Sequence, residues 1–159
     1  MIRKYPRTTL FVFAFLVRGL FVLWARNRFP AAADGTYYDI LARRIQDGAG
    51  YTWRWPDGVV TFAAHYPVGY PALLAIAYKL LGASPGAGMW MNALLTATVA
   101  PATYELTGAS RGLSKSAAAA LLVSVHPALV PYTAALMTEG VVTALLTVAA
   151  ALALRRERW

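Results

Sequence analysis

Long apolar runs with basic residues at their ends are the feature that most constrains how this chain can fold. The first run covers residues 8–25, which is just long enough for a helix to cross a hydrocarbon core. Arg7 precedes the run and Trp24 marks its far end, as at a membrane interface. A basic start also suits a signal peptide, but no small-residue cleavage site follows. We therefore interpret the run as a retained anchor.

The composition of the chain agrees with a membrane protein. Of its 159 residues, 58% are hydrophobic and only 14% are charged, which is more apolar than a soluble domain requires. The net charge of +8 comes from Lys and Arg at the ends of apolar runs. That placement favours membrane lipid as the partner and argues against nucleic acid. Without Cys there is neither a disulfide nor a thiolate metal site.

We predict an all-α integral membrane protein that forms a single membrane domain over residues 1–159. The about four predicted transmembrane helices cover residues 8–25, 86–106, 116–132 and 139–154, and Pro101 is expected to kink the second. The N-terminus, the 111–115 loop and the C-terminus are all basic, so an even number of crossings places all three in the cytoplasm. The chain is then a multi-pass plasma-membrane protein with loop 26–85 outside.

The outer loop, residues 26–85, holds four of the seven acidic residues and eight of the fourteen Trp and Tyr residues. Within it, residues 36–47 and 70–81 are predicted to form interfacial helices, the second because it is too short to span. The turn sequence Pro56-Asp57-Gly58 predicts a small hairpin. In an alternative, residues 70–81 cross the membrane. That topology would put the basic 111–115 loop outside, so we favour four crossings.

Two carboxylates are the candidate catalytic groups. Asp34 stands before a predicted helix, where an aspartate is also an ordinary N-cap. Glu139 opens the last apolar run, where it complements the helix dipole. Ionisable groups at a bilayer boundary are costly, however, and tend to be functional. The predicted topology places both residues outside, which favours a shared site.

The candidate binding residues are an arginine within the first apolar run and several histidine and tyrosine side chains. Arg18 lies inside the first apolar run, where it needs an anionic partner, a water-filled cavity or a route to the interface. His65 and His126 fall on the same predicted side, but a lone His is more often structural, and two His without Cys argue against a structural zinc site. Tyr66 and Tyr70 belong to a stiff aromatic turn that would also serve as an interface anchor.

The order of these features resembles the membrane-embedded glycosyltransferases of the C-type (GT-C) fold that use polyprenyl-phosphate sugars. Within that fold it is most similar to the dolichyl-phosphate-mannose protein mannosyltransferase and aminoarabinose transferase group. Four pieces carry the resemblance over nearly the whole chain. They are Arg18; Asp34-x-x-x-Tyr38 followed by Gly48-x-Gly50-Tyr51; Tyr66-Pro67-Val68-Gly69-Tyr70-Pro71 continuing to Asn92; and Thr138-Glu139.

The resemblance implies transfer of a sugar from a polyprenyl-phosphate donor to an acceptor on the outer face of the membrane. Asp34 would be the base and Glu139 its helper. Substrate binding would fall to Arg18, Tyr38, Arg43, Arg44, His65, Tyr66 and Tyr70. Some relatives place a Lys just before the Pro of the aromatic turn, where this chain has His65-Tyr66. No cofactor is certain: a divalent metal bridging the carboxylates stays open, since some relatives need none.

Members of the family usually have many more spans. The chain thus resembles the N-terminal part of such an enzyme or a truncated relative, so that activity would require further transmembrane segments or a partner subunit. Whether it is an enzyme by itself stays open. The alternative is a non-catalytic membrane subunit or scaffold that binds lipid-linked sugar, and a transporter half is a third interpretation.

Overall fold

The computed structural model describes residues 5–111 and 113–156, and this part of the chain is mostly helical, as predicted. Arg3, Lys4 and Arg158, which contribute to the predicted orientation, lie outside the described residues. The elements in chain order are α1 (Pro6–Ala25), α2 (Asp34–Gln46), β1 (Thr52–Arg54), β2 (Val60–Phe62), α3 (Gly69–Leu81), α4 (Pro85–Ala97), α5 (Val99–Arg111), α6 (Leu113–Ser124), a 3-10 turn (Pro131–Thr133) and α7 (Thr138–Arg156).

Helix α1 corresponds to the first predicted span. Pro6 stands in its first turn, where a missing N–H costs nothing. Its buried side is spaced by helical turns and packs on α4, α5 and α6; it consists of Leu10, Ala14, Arg18, Gly19, Val22 and Ala25. The opposite side is apolar yet exposed: Leu16 is 58% and Leu20 69% exposed. The helix is therefore apolar on both sides, which a water-facing helix of a soluble protein is not.

Residues 26–85, the predicted outer loop, contain both predicted helices and the predicted hairpin. Helix α2 packs on α3 through a cluster of buried residues that includes Tyr38, Tyr70 and Leu74. Strands β1 and β2 pair antiparallel, with Trp53 opposite Thr61. The hairpin is held to α2 because Arg44 donates to the Thr52 hydroxyl at 2.9 Å from Nε and 2.7 Å from Nη2. The loop is thus a packed layer at one end of the bundle.

Helices α4 and α5 cover the second predicted span, with a break at Thr98. Ser84 caps α4, since its hydroxyl accepts the N–H of Ala87 at 3.2 Å. Pro101 explains the break: it lacks an N–H, and its ring clashes with the carbonyl of residue 97, one turn earlier. The helix is therefore interrupted one turn before the proline, where the sequence predicts a kink. The chain bends by 112° between α3 and the helical segment that begins at Pro85.

The third predicted span, residues 116–132, is wrong in its second half. Helix α6 ends at Ser124, and the chain continues through turns to the 3-10 turn. Pro127 and Pro131 explain the difference, because neither supplies a backbone N–H and each restricts the residue before it. At 12 residues, α6 is roughly 18 Å long, which is shorter than a hydrocarbon core.

The last predicted helix is confirmed as α7, which packs against α4 and α5. By length and composition, α1 is the one helix of the described part that could cross a membrane alone. Helix α3 and the segment Pro85–Gly108 meet the same criterion only as a bent pair, and the apolar part of α7, Thr138–Leu154, is shorter. Four crossings stay a prediction.

Candidate functional site

The site is built around the start of α2. Asp34 is the first residue of this helix and is exposed, while Ala33 occupies the cap position. The interpretation of Asp34 as an N-cap is therefore wrong: no side chain caps α2. Instead, the N–H groups of Gly35 and Thr36 bond to the carbonyls of Ala32 and Ala33, each at 3.0 Å. The Asp34 carboxylate therefore makes no capping hydrogen bond to the backbone of α2 and can bond to another side chain.

That group is Tyr66, from the aromatic turn before α3. Its hydroxyl donates to Oδ1 of Asp34 at 3.2 Å. The pKa of Tyr66 is raised above its ordinary value, mainly by desolvation and secondly by the hydrogen bond to Asp34. A tyrosine hydroxyl is protonated at neutral pH in any case, and the raised pKa reinforces its role as a donor to the carboxylate. A residue proposed for binding and one proposed for catalysis are thus in direct contact.

Aromatic rings form a wall beside this pair. The Tyr66 ring stacks on Tyr37 at 5.1 Å between centroids and meets Tyr38 edge-on at 5.3 Å. Tyr38 in turn contacts Tyr70 at 5.2 Å. His65 stands on the same wall, 5.1 Å from the Tyr66 ring. The structure thus brings together four of the predicted binding residues, namely Tyr38, His65, Tyr66 and Tyr70.

The start of α7 approaches the start of α2. Gly35 lies so close to Leu136 that an added Cβ would stand 3.2 Å from the Leu136 carbonyl oxygen. Glu139 follows within the first turn of α7, is exposed, and interacts electrostatically with the Tyr70 hydroxyl. Asp34 and Glu139 therefore lie in the first turns of two helices whose starts approach each other at Gly35 and Leu136.

An apolar cavity of about 350 Å³ is lined by the linker up to Ala33, the residue before Asp34. Its walls are one side chain of α1, the linker that ends at Ala33, and the chain between the 3-10 turn and α7. The lining residues are Phe21, Phe29, Pro30, Ala31, Ala32, Ala33, Pro131, Ala134, Ala135, Leu136 and Met137. The volume falls within the range of small-molecule sites. The lining carries no charged side chain, so its chemistry suits an apolar chain or ring.

Arg18 does not reach this cavity. Its side chain is fully buried inside the bundle, where Nε donates to the Thr96 hydroxyl at 3.0 Å and Nη1 to the Ser124 carbonyl at 3.2 Å. A chain of hydrogen bonds leads from it toward the aromatic wall. The Thr96 hydroxyl donates to the Asn92 carbonyl at 2.7 Å, and the Tyr70 hydroxyl donates to the Asn92 side chain at 3.1 Å.

The two arginines of α2 are held by local contacts. Arg43 forms an ion pair with Asp39 at 3.0 Å and also donates to the Ala83 carbonyl at 3.0 Å. The hydrogen bond to Asp39 is the main cause that raises the pKa of Arg43. Arg44 is bonded to the hairpin through Thr52. The structure thus does not assemble Arg18, Arg43 and Arg44 into one phosphate site near Asp34.

Sequence reasoning missed Asp39 and the role of Asn92. The Tyr78 hydroxyl donates to Asp39 at 2.5 Å, and the spacing Asp39–Arg43 is the i,i+4 pair that helices favour. That spacing was the available signal. Asn92 joins three segments because its side chain also donates to the carbonyl of Ala135 at 2.8 Å. A buried amide in an apolar helix signals such a junction only in general terms.

Metal binding finds no support in this arrangement. Among the described residues, no group of three or more His, Asp or Glu side chains is placed to hold an ion. His126 lies in the turn after α6, and its Nδ1 accepts the N–H of Ala128 at 3.2 Å. This is a local structural role, in agreement with the simpler interpretation of that histidine.

No protein-family model, curated protein or solved structure matches this chain. The resemblance to GT-C glycosyltransferases therefore rests on the motifs in the sequence, and the functional argument rests on the geometry of this site.

Proposed function

We propose that the protein is a membrane glycosyltransferase, or a component of one, that transfers a sugar from a polyprenyl-phosphate donor to an acceptor on the outer face of the membrane. The observation that carries the proposal is the position of Asp34. Asp34 is exposed and directly follows the cavity-lining Ala33, and its carboxylate accepts the hydroxyl of Tyr66 from the aromatic wall. Its neighbour Gly35 packs against Leu136, just before α7. A lipid-linked sugar has the matching parts: an apolar chain and a polar ring.

Membrane insertion is supported by where the apolar surface lies. Large side chains are exposed along α1 and α7, where Leu20 is 69% and Leu146 66% exposed. Water-facing surfaces rarely carry such continuous apolar area, whereas lipid-facing helices do. The layer of α2, the hairpin and α3 would then lie at the membrane–water interface, where Tyr and Trp residues are enriched in membrane proteins.

The proposed chemistry follows from charge. Asp34 removes the proton from the acceptor hydroxyl, whose oxygen then bonds to the anomeric carbon as the bond to the phosphate oxygen breaks. The polyprenyl phosphate leaves as an anion. Tyr66 holds the carboxylate in place, and Glu139 supports binding of the acceptor from the neighbouring helix start. Arg28 precedes the cavity-lining Phe29 in the chain and is the candidate cation for the leaving phosphate. In the structure its Nη1 donates to the Trp24 carbonyl at 2.5 Å and its guanidinium lies over the Trp24 ring, so it would have to turn from Trp24 to bind phosphate.

The test is the Asp34→Asn variant in membrane vesicles that contain a labelled polyprenyl-phosphate sugar. Asparagine keeps the shape of the side chain but removes the base, so we expect transfer to fall about 100- to 10,000-fold. Asp57→Asn at the hairpin tip is the matched control and should transfer normally. Its carboxylate only accepts the N–H of Val59 at 3.0 Å, which an amide oxygen can also do. Normal turnover by Asp34→Asn would overturn the assignment of the base.

A specific observation favours the non-catalytic alternative: Arg18, Arg43 and Arg44 are bonded to Thr96, Ala83 and Thr52, so none of them is placed beside Asp34 to neutralise a leaving phosphate. A subunit that only binds lipid-linked sugar needs the cavity but no base. In the same vesicles, such a subunit would bind the donor without transferring the sugar. The Asp34→Asn variant would bind the donor as tightly as the unmodified protein. That outcome would decide for the subunit.

A further inference from the structure

The aromatic wall continues beyond the Asp34 site onto the hairpin. Tyr37, which stacks on Tyr66, also contacts Trp53 of β1 at 5.1 Å between ring centroids. Trp53 in turn contacts Trp55 at 6.5 Å. Neighbouring rings are thus in contact all the way from Tyr66, whose hydroxyl holds the Asp34 carboxylate, to the turn of the hairpin.

This run of rings is partly open to solvent and occupies one side of the hairpin. Tyr37 is 39% and Trp55 45% exposed. Trp53 and Thr61 stand opposite each other in the strand pair, so they lie on the same side of the hairpin as Trp55, two positions further on. Phe62 belongs to the other side and is 85% exposed, and among the described residues it contacts no other ring. The hairpin therefore has one side with contiguous rings and one side without.

Hydrogen bonds fix the positions of these rings. The indole N–H of Trp55 donates to the Thr61 hydroxyl at 3.0 Å, and its backbone N–H donates to the Val59 carbonyl at 2.8 Å. The Tyr51 hydroxyl donates to the Tyr66 carbonyl, which ties the start of the hairpin to the aromatic turn. Side chains that are already ordered lose little conformational entropy when a ligand packs on them. The run is thus preorganised for binding.

The chemistry of the run suits a saccharide better than a lipid surface. The face of an aromatic ring is electron-rich, and the C–H groups on a face of a sugar ring carry the complementary partial positive charge. Groups that can bond to sugar hydroxyls stand along the same run: the exposed carboxylate of Asp34, and the exposed imidazole of His65, which contacts the rings of Trp53 and Tyr66. Hydrocarbon cannot satisfy an exposed carboxylate, and anionic lipid repels it.

We propose that the acceptor is a saccharide whose sugar rings stack on Trp55 and Tyr37 and whose reacting hydroxyl lies at Asp34. This assignment rests on the proposed function, because it names the acceptor of the same site. Neighbouring ring centres of the run are 5.1–6.5 Å apart, close to the length of one sugar unit in a glycan, so the run accommodates a chain of sugars. Trp55 lies at the far end of the run from Asp34 and therefore governs the affinity for the acceptor rather than the chemical step.

Equilibrium dialysis without a donor tests this site apart from the reaction. The purified protein, in a detergent without a sugar headgroup, is dialysed against radiolabelled neutral hexasaccharides of glucose and of mannose in separate experiments. We expect saturable binding with a Kd of roughly 1 mM, and no competition by sorbitol, which has hydroxyls but no ring face. Trp55→Ala should weaken binding about tenfold. Trp55→Phe, which keeps an aromatic face, should bind within about twofold of the unmodified protein.

Two further variants make the result specific. Tyr37→Leu removes a ring from α2 and should weaken binding about fivefold, which keeps the test decisive if Trp55→Ala disturbs the hairpin. Phe62→Ala is the matched control, since it removes a more exposed ring from the other side of the same hairpin and should leave binding unchanged. Binding of neither hexasaccharide would overturn the proposal, as would binding that Trp55→Ala leaves unchanged or that Phe62→Ala weakens equally. A Trp55→Ala variant that binds saccharide normally but partitions less into phosphatidylglycerol vesicles would make the run a membrane anchor instead.

Saccharide binding and sugar transfer are measured independently, so one can fail without the other. Binding that depends on Trp55, in a protein that transfers no sugar, would support the saccharide site and overturn the reaction. Transfer that Asp34→Asn abolishes, in a protein that binds neither hexasaccharide, would support the reaction and overturn the saccharide as its acceptor.

Discussion

The backbone at Ala33 sets the position of the candidate base. Its φ of 49° and ψ of −131° form a conformation that glycine adopts easily and alanine rarely. Such strain costs about 1–3 kcal/mol and is kept where the surrounding structure requires it, often at functional sites. Here it directs the chain from the cavity wall into α2, so that Asp34 begins the helix rather than capping it. Ala33 thus lines the cavity, and the next residue, Asp34, already belongs to α2.

Replacing Ala33 by glycine should relieve this strain. We expect Ala33→Gly to stabilise the fold by up to about 1 kcal/mol, the relief being partly offset by the greater freedom of glycine in the unfolded chain. Its neighbour provides the matched control: Ala32 has no positive φ, so Ala32→Gly should destabilise the fold by about 0.5–1 kcal/mol. Unfolding of both variants in the same detergent measures the difference. Equal destabilisation by the two changes would show that Ala33 carries no strain.

At the scale of elements, Gly88 allows α3, α4 and the start of α7 to meet. A Cβ at this position would stand 2.7 Å from a methyl carbon of Leu136 and 2.8 Å from one of Leu74. Both leucines are buried, at 2% and 0% exposure, so they have little room to move aside. Leu136 also touches Gly35, at the start of α2. The absence of a side chain at one residue of α4 thus helps to hold the two acidic helix starts together.

Gly88→Ala should therefore destabilise the protein, although alanine favours a helix. We expect a loss of about 1–3 kcal/mol from overpacking against the two leucines, measured by thermal unfolding. Gly86→Ala on the same helix is the control, because its Cβ would find only ordinary contact, 3.6 Å from Arg26 Cβ. That variant should be neutral or slightly stabilising. If Gly88→Ala unfolds no more easily than Gly86→Ala, the close packing is not limiting.

The elements that could be predicted from the sequence are those with a local signal. The apolar run of α1, the proline at position 101 and the turn sequence of the hairpin each act within a few residues, and the structure agrees with them. The end of α6 was missed because the apolar composition continues through two prolines to residue 132. The contact of Tyr66 with Asp34 spans 32 positions, and no local pattern indicates which hydroxyl such a carboxylate finds.

At the scale of the whole molecule, the layer of α2, the hairpin and α3 packs at one end of the bundle, while Lys115 lies near the start of α6. The predicted topology places the hairpin and Lys115 on opposite sides of the membrane. The sharp bend between α3 and α4 allows this, since α3 can lie along the interface and α4 can then enter the bilayer.

Labelling of single cysteines tests this arrangement. Asp57 at the hairpin tip and Lys115 are both exposed, and the chain has no Cys of its own. In intact cells, a membrane-impermeant maleimide should label Asp57→Cys but not Lys115→Cys, and permeabilised cells should label both. Labelling of both in intact cells would place them on the same side and would contradict the predicted crossings.

The buried position of Arg18 also has a consequence for biogenesis. Helix α1 is synthesised first, but the neutral groups that accept hydrogen bonds from the Arg18 guanidinium, on Thr96 and Ser124, come 78 and 106 residues later in the chain. An isolated helix with a central arginine loses about 2.5–3.5 kcal/mol of insertion free energy. In the proposed membrane topology, α4 and α6 lower this cost only after they have been made, so α1 alone should insert less completely than α1 in the full chain.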